Sequence, residues 1–362
     1  MSKTPKKAPY QKPSIKKIGS LKDLSQTASN SGAADGGSAP YNKMHCLTPP
    51  TVIDEHRQLI SDTQCQLRYR QEIRAAVRPG DIVVDVGVGS GIHTLFALQA
   101  GAKKVYAIDG DNIIHSAREL ITANNFSDRV TFIKKDSKDV ELPEKADVLI
   151  SNIGFVNTLN DIPDAIARFL KPNGRAIPDA LQISFAPATA EGTYAQHTQI
   201  WSNNTFGIDF STLRKASVNH PMYFKMSPDQ LLADHQSSDI VSLKKSSDKV
   251  LKFQLHYEIK TAAICHGIGG WYSFFTNNAE FLSTRPPLEL NEQLWSNFLL
   301  PFDNPVELRR NSSLFVEIEM HRELFGTSSI WVWRATLDSR LIASQSSFTG
   351  IMTEAAPSLN EH

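Results

Sequence analysis

The sequence predicts a doubly wound α/β domain, Rossmann-like in outline, followed by an antiparallel β-barrel domain that carries an inserted helical arm. Three observations carry this. Short apolar strands alternate with helical segments from residue 81 to 174, a glycine-rich turn sits where the first strand meets the first helix, and after Pro178 the pattern changes to period-two strands.

Taken in order, the Pro-Pro start near Thr51 and the spacing of Ile53, Leu59 and Ile60 predict helices leading into the first strand. DIVVDVG (81–87) reads as a buried strand, IHTLFALQAGA (92–102) as a helix and KVYAID (104–109) as a strand. IIHSARELITANN (113–125) is helical, VTFIKKD (130–136) and ADVLISN (146–152) are strands, and DIPDAIARFLKPNG (161–174) is a helix closed by glycine. Apolar strands of this length separated by helices imply parallel βαβ units with both sheet faces covered. Beyond Pro178, ALQISFAPAT, VLKFQLHYEIK, WYSFF, SLFVEIEMH and SIWVWRATL alternate aromatic or β-branched residues with polar ones, as an antiparallel barrel or sandwich requires. QIWSNNTFGIDFSTLRKAS, between the first two of these, is more helical and reads as an insertion at about 194–220. The domain boundaries expected are therefore 1–45 for a basic arm, 46–178 for the α/β domain and 179–362 for the β-rich domain.

Composition narrows the function. Lys plus Arg and Asp plus Glu both total 38, so no overall field attracts nucleic acid or an anionic membrane. The first 45 residues are an exception, with eight lysines against Asp23 and Asp35, and their small polar composition cannot offset its own ordering entropy. Cys46, Cys65 and Cys265 are scattered, without metal-ligand spacing or a disulfide framework, and neither a signal peptide nor a run of ~18 apolar residues is present. The expectation is a cytoplasmic protein without a metal.

The chemistry begins at DVGVGSG. Asp85, Gly87, Gly89 and Gly91 stand at the first strand–helix junction, where glycines let the backbone approach a ligand and a helix N-terminus presents free N–H groups. The G-x-G-x-G spacing departs from the G-x-G-x-x-G of dinucleotide folds and suits a cofactor without pyrophosphate, S-adenosylmethionine rather than NAD. Asp109 ends the second strand, where an acid accepts ribose hydroxyls, and Asp136 with Ser137 ends the third, where an acid and an amide can read an adenine edge. Each has a blander alternative, since a glycine loop can be only a tight turn and a strand-end Asp only a helix cap.

These motifs resemble those of the protein arginine methyltransferases, over roughly residues 56–345. HRQLISDTQCQLRYRQEI matches that family's helical motif at His56, Asp62, Tyr69 and Ile73, while Cys65 stands where the family has the arginine that pairs the cofactor carboxylate. Arg57 or Arg68 could supply that charge instead, or be solvated helix-face residues. The resemblance implies cofactor contacts from His56 and Asp62, a barrel after GRAIPDALQISFAPAT, and a homodimer formed through the arm IWSNNTFGIDFSTL.

The acceptor region departs from the family. Its two glutamates are replaced by Asn152 and Asn160 in SNIGFVNTLNDI, and its threonine–histidine–tryptophan loop by Gln293, Leu294 and Trp295. A guanidinium cannot be deprotonated in a protein, so burying one without paired carboxylates costs several kcal/mol. Asp161 or Asp164 could substitute, or could cap the following helix. Asn152-Ile-Gly-Phe155 has the outline of the N-P-P-Y/F motif of amide and amine methyltransferases, without its prolines; Asn152 would accept N–H bonds and Phe155 would stack on a planar group, unless Asn152 is a turn residue. For a hydroxyl acceptor, His56, His256 and His321 are candidate bases or structural residues.

Within the arm, YQKPSIKKIG resembles the leader of lasso-type ribosomal peptides at Tyr10, Pro13, Ile15 and Gly19, with Thr27 further on. Such leaders dock by strand addition, so residues 10–19 imply a leader-recognition partner; a basic linker is the plainer alternative. The combined expectation is a methyltransferase that modifies a peptide or protein in natural-product biosynthesis, at a site other than arginine. An arginine methyltransferase with a rebuilt loop and a catalytically silent dimeric scaffold are the alternatives.

Overall fold

A computed structural model describes residues 50–202, 205–244, 249–290, 295–322 and 329–348. The basic arm, including the leader-like residues 10–19, and Cys46, Gln293 and Leu294 lie outside these.

Two helices come first, α1 (Pro50–Ser61) and α2 (Thr63–Ala76), the second capped by Asp62, whose carboxylate accepts from the Cys65 N–H at 3.1 Å. A parallel sheet follows, built from β1 (Ile82–Val86), β2 (Lys104–Ile108), β3 (Val130–Ile133), β4 (Ala146–Ser151) and β5 (Leu170–Ile177) in the order β3-β2-β1-β4-β5. The helices α3 (Ile92–Gln99), α4 (Ile113–Ala123) and α5 (Phe155–Phe169) connect these strands, which is why Val83, Val84, Leu149 and Ile150 are wholly buried. The strand order reverses between β1 and β4, and such a switch point opens a crevice at the carboxyl ends of the strands.

One helix differs from the sequence expectation of 161–174. It starts at Phe155, capped by Gly154 at φ +81°, and ends at Phe169, so that Gly174 falls inside β5. Phe155, Leu159, Ile162, Ala165, Ile166 and Phe169 form one buried helical face, and that burial outweighs the weak helix propensity of Asn157, Thr158 and Asn160. Pro163 sits inside this helix and has no N–H for the Leu159 carbonyl four residues back. The buried guanidinium of Arg322, from the β-rich half, donates to that carbonyl instead.

Beyond Pro178 two antiparallel sheets share a core, as a barrel or sandwich demands. One runs β7-β13-β11-β6-β8, with β8 at Gln236–Ser237, and the other β10-β14-β15-β16. The members that matter below are β6 (Ala180–Ala188), β7 (Met222–Phe224), β10 (Val250–Glu258), β11 (Ala263–Thr276), β13 (Asn297–Leu308), β14 (Ser313–His321), β15 (Ile330–Leu337) and β16 (Arg340–Ser346). In β10 alternation is strict, with Leu251, Phe253, Leu255 and Tyr257 turned inward, and Phe253 tilts against Phe185 of β6 with centroids 5.0 Å apart. The insertion between β6 and β7 forms α6 (Glu191–Ser202) and α7 (Ser211–Val218). This arm is tied to β13, because Tyr194 Oη donates to the Asp303 carbonyl at 2.6 Å and Arg214 pairs with the Asp303 carboxylate at 3.0 Å.

Candidate functional site

The carboxyl ends of β1, β2 and β3 bring the predicted cofactor residues to one edge. Gly87, Gly89 and Gly91 all have positive φ (73°, 52° and 89°), so the turn between β1 and α3 requires glycine. The space is also filled: a Cβ on Gly87 would overlap the Ile153 side chain, and one on Gly89 would lie 2.6 Å from His56 Cε1. Asp109 binds this turn directly, its carboxylate accepting from Gly89 N–H and from Asp111 N–H at 2.8 Å each. Burial raises its pKa, and those two backbone donors oppose the shift. Burial lowers the pKa of His56, with the Asp109 charge opposing, so a neutral imidazole covers the loop.

Asp85 is 1% exposed. Its Oδ2 accepts from Thr94 Oγ1 at 2.6 Å, and among the described residues its Oδ1 has no partner. Desolvation, only partly offset by Thr94, pushes its pKa up to about 7. A buried carboxylate oxygen without a donor beside a glycine turn fits a cationic or N–H group, such as the ammonium of an amino-acid moiety. Two carboxylate acceptors, Asp85 and Asp109, set around a glycine turn therefore fit S-adenosylmethionine. At the end of β3, Asp136 is exposed and caps a short 3₁₀ turn through Lys138 N–H at 2.9 Å, with the Ser137 carbonyl held by Arg168.

Other placements are structural. Asp62 caps α2 as described, and neither Arg57 nor Arg68 is a loose cation, because they pair with Asp54 at 2.8 Å and Glu289 at 3.0 Å. Cys65, in the arginine position, is fully buried with its thiol pushed up to about 12 by desolvation, and its sulfur contacts the Asn152 side chain. Tyr69 Oη donates to the Ser151 carbonyl at 3.1 Å, and Ser151 Oγ to Val86 O at 3.0 Å, so α2 pins the turn between β4 and α5 to the end of β1.

That turn opens on a cavity of about 300 Å³, bounded by Phe155, Asn157, Tyr223, Tyr272, Phe298 and Trp331. Phe155 stacks on Tyr272 with centroids 4.6 Å apart and planes 13° apart. Among the described residues no acidic or basic side chain lines it.

The remaining acceptor candidates fall elsewhere. Asn160 is buried inside α5 with its Oδ1 unpartnered, and does not line the cavity. Asp161 and Asp164 cap nothing, since α5 begins six residues earlier than Asp161; they pair with Lys138 at 2.9 Å and Arg168 at 2.6 Å. Trp295 is buried with its indole N–H unpartnered, while its neighbour Ser296 reaches the cavity wall. His256 bonds Ser313 at 2.7 Å and His321 bonds Glu319 at 3.0 Å, and neither lines the cavity. Tyr223, Tyr272, Phe298 and Trp331 were not singled out in the sequence. Aromatic residues on alternating strands look like core, and only strand pairing shows which of them share a wall.

Known proteins resemble this chain over part of its sequence and in fold. Residues 63–181 match the family described as ribosomal protein L11 methyltransferase (PrmA). The histone-arginine methyltransferase CARMER of Drosophila persimilis is 31% identical over 256 residues, covering 64% of this chain and 47% of that protein; its Drosophila virilis counterpart is 30% identical, with 64% and 46% covered. The chain thus spans about half the length of the curated relatives it matches. Among solved structures, the Trypanosoma brucei PRMT1 enzyme–prozyme heterotetrameric complex with AdoHcy superposes with a TM-score of 0.71 at 21% identity, covering 80% of this chain and 96% of that one. Arabidopsis thaliana protein arginine methyltransferase 10 gives 0.67 at 21% identity, with 84% and 99% covered. The fold of this chain is that of the protein arginine methyltransferases: a Rossmann-like parallel sheet followed by an antiparallel β domain with a helical arm.

Proposed function

We propose that this protein is an S-adenosylmethionine-dependent methyltransferase acting on a neutral, planar side chain of a peptide or protein rather than on arginine. The observation that carries the acceptor is the aromatic cavity beside the glycine turn, to which the described residues bring no carboxylate to balance a guanidinium. When bound, the cofactor supplies an electrophilic sulfonium methyl; the acceptor's lone pair forms the new bond as the carbon–sulfur bond breaks toward sulfur, and the acceptor's proton leaves to solvent. Asp85, the Gly87–Gly91 turn and Asp109 hold and orient the cofactor, His56 covers it, and Asp136 with Ser137 flanks its base. The stacked Phe155–Tyr272 pair forms one wall, against which Tyr223, Phe298 and Trp331 orient a planar acceptor and keep water out, and Asn152, next to Ile153 of that wall, is the candidate acceptor of its N–H.

The arm supports the homodimer: Ile200, Ile208 and Leu213 are half exposed and Phe206 is 88% exposed, and Ile53, Ile60 and Leu67 of α1 and α2 are likewise about half exposed. The peptide-biosynthesis setting rests on residues 10–19 alone. A second reading has one observation in its favour. A structural neighbour is an enzyme–prozyme complex, and a chain lacking both acceptor carboxylates fits the silent member of a pair.

Incubation with methyl-labelled cofactor and a peptide mixture, followed by fragmentation spectra, separates these. Label on a neutral side chain is expected. Label on arginine supports the arginine alternative, and cofactor binding without transfer to any peptide supports the scaffold.

A further inference from the structure

A second cavity, of about 470 Å³, lies in the β-rich half between Asp303–Val306 of β13 and Arg340–Gln345 of β16. Both strands turn an edge toward it. Strand β16 ends its sheet, and β13 pairs with β7 only at residues 297–299, so from Leu300 onward no described strand is hydrogen-bonded to its second edge, which faces β16 across the cavity. Ladder alternation fixes the direction of the β16 backbone. Ser347 N–H bonds Trp331 O at 2.9 Å, so Ser346 and Ser344 point their peptide groups away from β15; Ser346 N–H is taken by Asn219 Oδ1 at the end of α7, which leaves those of Ser344 facing the seam.

Gln345 stands at the centre. It lies opposite Trp333 across the ladder and therefore on the same face, and Trp333 reaches across the seam to donate to the Pro301 carbonyl of β13 at 2.9 Å. Gln345 is 1% exposed, and among the described residues neither its Nε2 nor its Oε1 has a partner. Leaving a whole carboxamide buried and unbonded is costly, and folded proteins seldom do so without a ligand to answer it. One donor and one acceptor side by side match a second planar amide. At the outer end of the seam Arg340 is exposed, and among the described residues it has no ion-pair partner.

We infer that this seam is a binding site for an extended segment of another polypeptide, which adds as a strand to β16, pairs a backbone amide with Gln345 and sets a carboxylate against Arg340. The site is distinct from the aromatic cavity, because Asn219 closes the seam at Ser346, and it stands independently of the methyl-transfer reading.

The test is random-peptide display panned on the full chain, with the Gln345→Leu chain as counter-selection, followed by calorimetry on an enriched synthetic peptide. Enriched peptides are expected to carry an acidic residue at a fixed position, and to bind at least tenfold more weakly to Gln345→Leu and severalfold more weakly to Arg340→Glu. The Gln345→Leu chain should melt no lower than the wild type, since the apolar substitution removes an unbonded amide. Equal enrichment on both chains, or affinity unchanged in Arg340→Glu, overturns the proposal. So does a lower melting temperature of Gln345→Leu, which would mean that the carboxamide is satisfied within the protein.

Discussion

The two edges of the crevice are built by opposite means. On the cofactor side, charge and backbone do the holding: Asp85, Asp109 and three positive-φ glycines lie within 25 residues of one another on consecutive elements. On the acceptor side neutral rings do it, drawn from α5, β7, β11, β13 and β15. The first edge is rigid by local geometry, while the second exists only if the β-rich half packs against α5. Changes on one side should therefore leave the other largely intact.

The largest expected effect tests the charge on the cofactor side. Asp85 has its pKa raised to about 7 in the folded protein, against an ordinary value of 3.8. The folded state thus binds more protons than the unfolded state between about pH 4 and pH 7, and stability contributed by the protonated form is lost as pH rises through that window. Over the whole window the difference amounts to roughly 4 kcal/mol. Thermal melts of the ligand-free protein at pH 5 and pH 8 should show this loss in the wild type and not in Asp85→Asn; parallel profiles for the two chains would place the burdened carboxylate elsewhere.

Next in size is Asp109→Ala, which removes a charged acceptor from the glycine turn. Affinity for S-adenosylmethionine should fall by about 1.5–3 kcal/mol, with the aromatic cavity undisturbed. Titration calorimetry giving an unchanged affinity would break the assignment of this edge.

Arg322→Leu probes the connection between the edges. Without the guanidinium the Leu159 carbonyl is left buried and unbonded, and the protein should lose roughly 1–3 kcal/mol of stability. Cofactor affinity should hold while acceptor turnover drops. If both fell together in calorimetry and activity assays, the two edges would not be separable.

The smallest effect is Tyr223→Ala at the exposed rim of the cavity. Loss of one ring face should weaken acceptor binding by about 0.5–1.5 kcal/mol, seen as a raised KM for the peptide with cofactor affinity unchanged. An unchanged KM would remove the rim from the acceptor site.

The sequence on its own determined the alternation of strands and helices, the glycine turn, and the acids at the ends of β1, β2 and β3, because each depends on periodicity or on conformations that neighbouring residues impose. The resemblance to the protein arginine methyltransferases also set Asn152 and Asn160 at positions where that family has glutamates. Tertiary structure decided the rest. The early start of α5 at Phe155 follows from burial of one helical face, which a run of Asn and Thr conceals. Arg322 reads as any charged residue until Pro163 leaves a carbonyl for it to satisfy, 163 positions away in the chain. The aromatic cavity and the seam at Gln345 depend on which strands lie beside one another, and strand pairing is a property of packing that no local stretch of residues encodes.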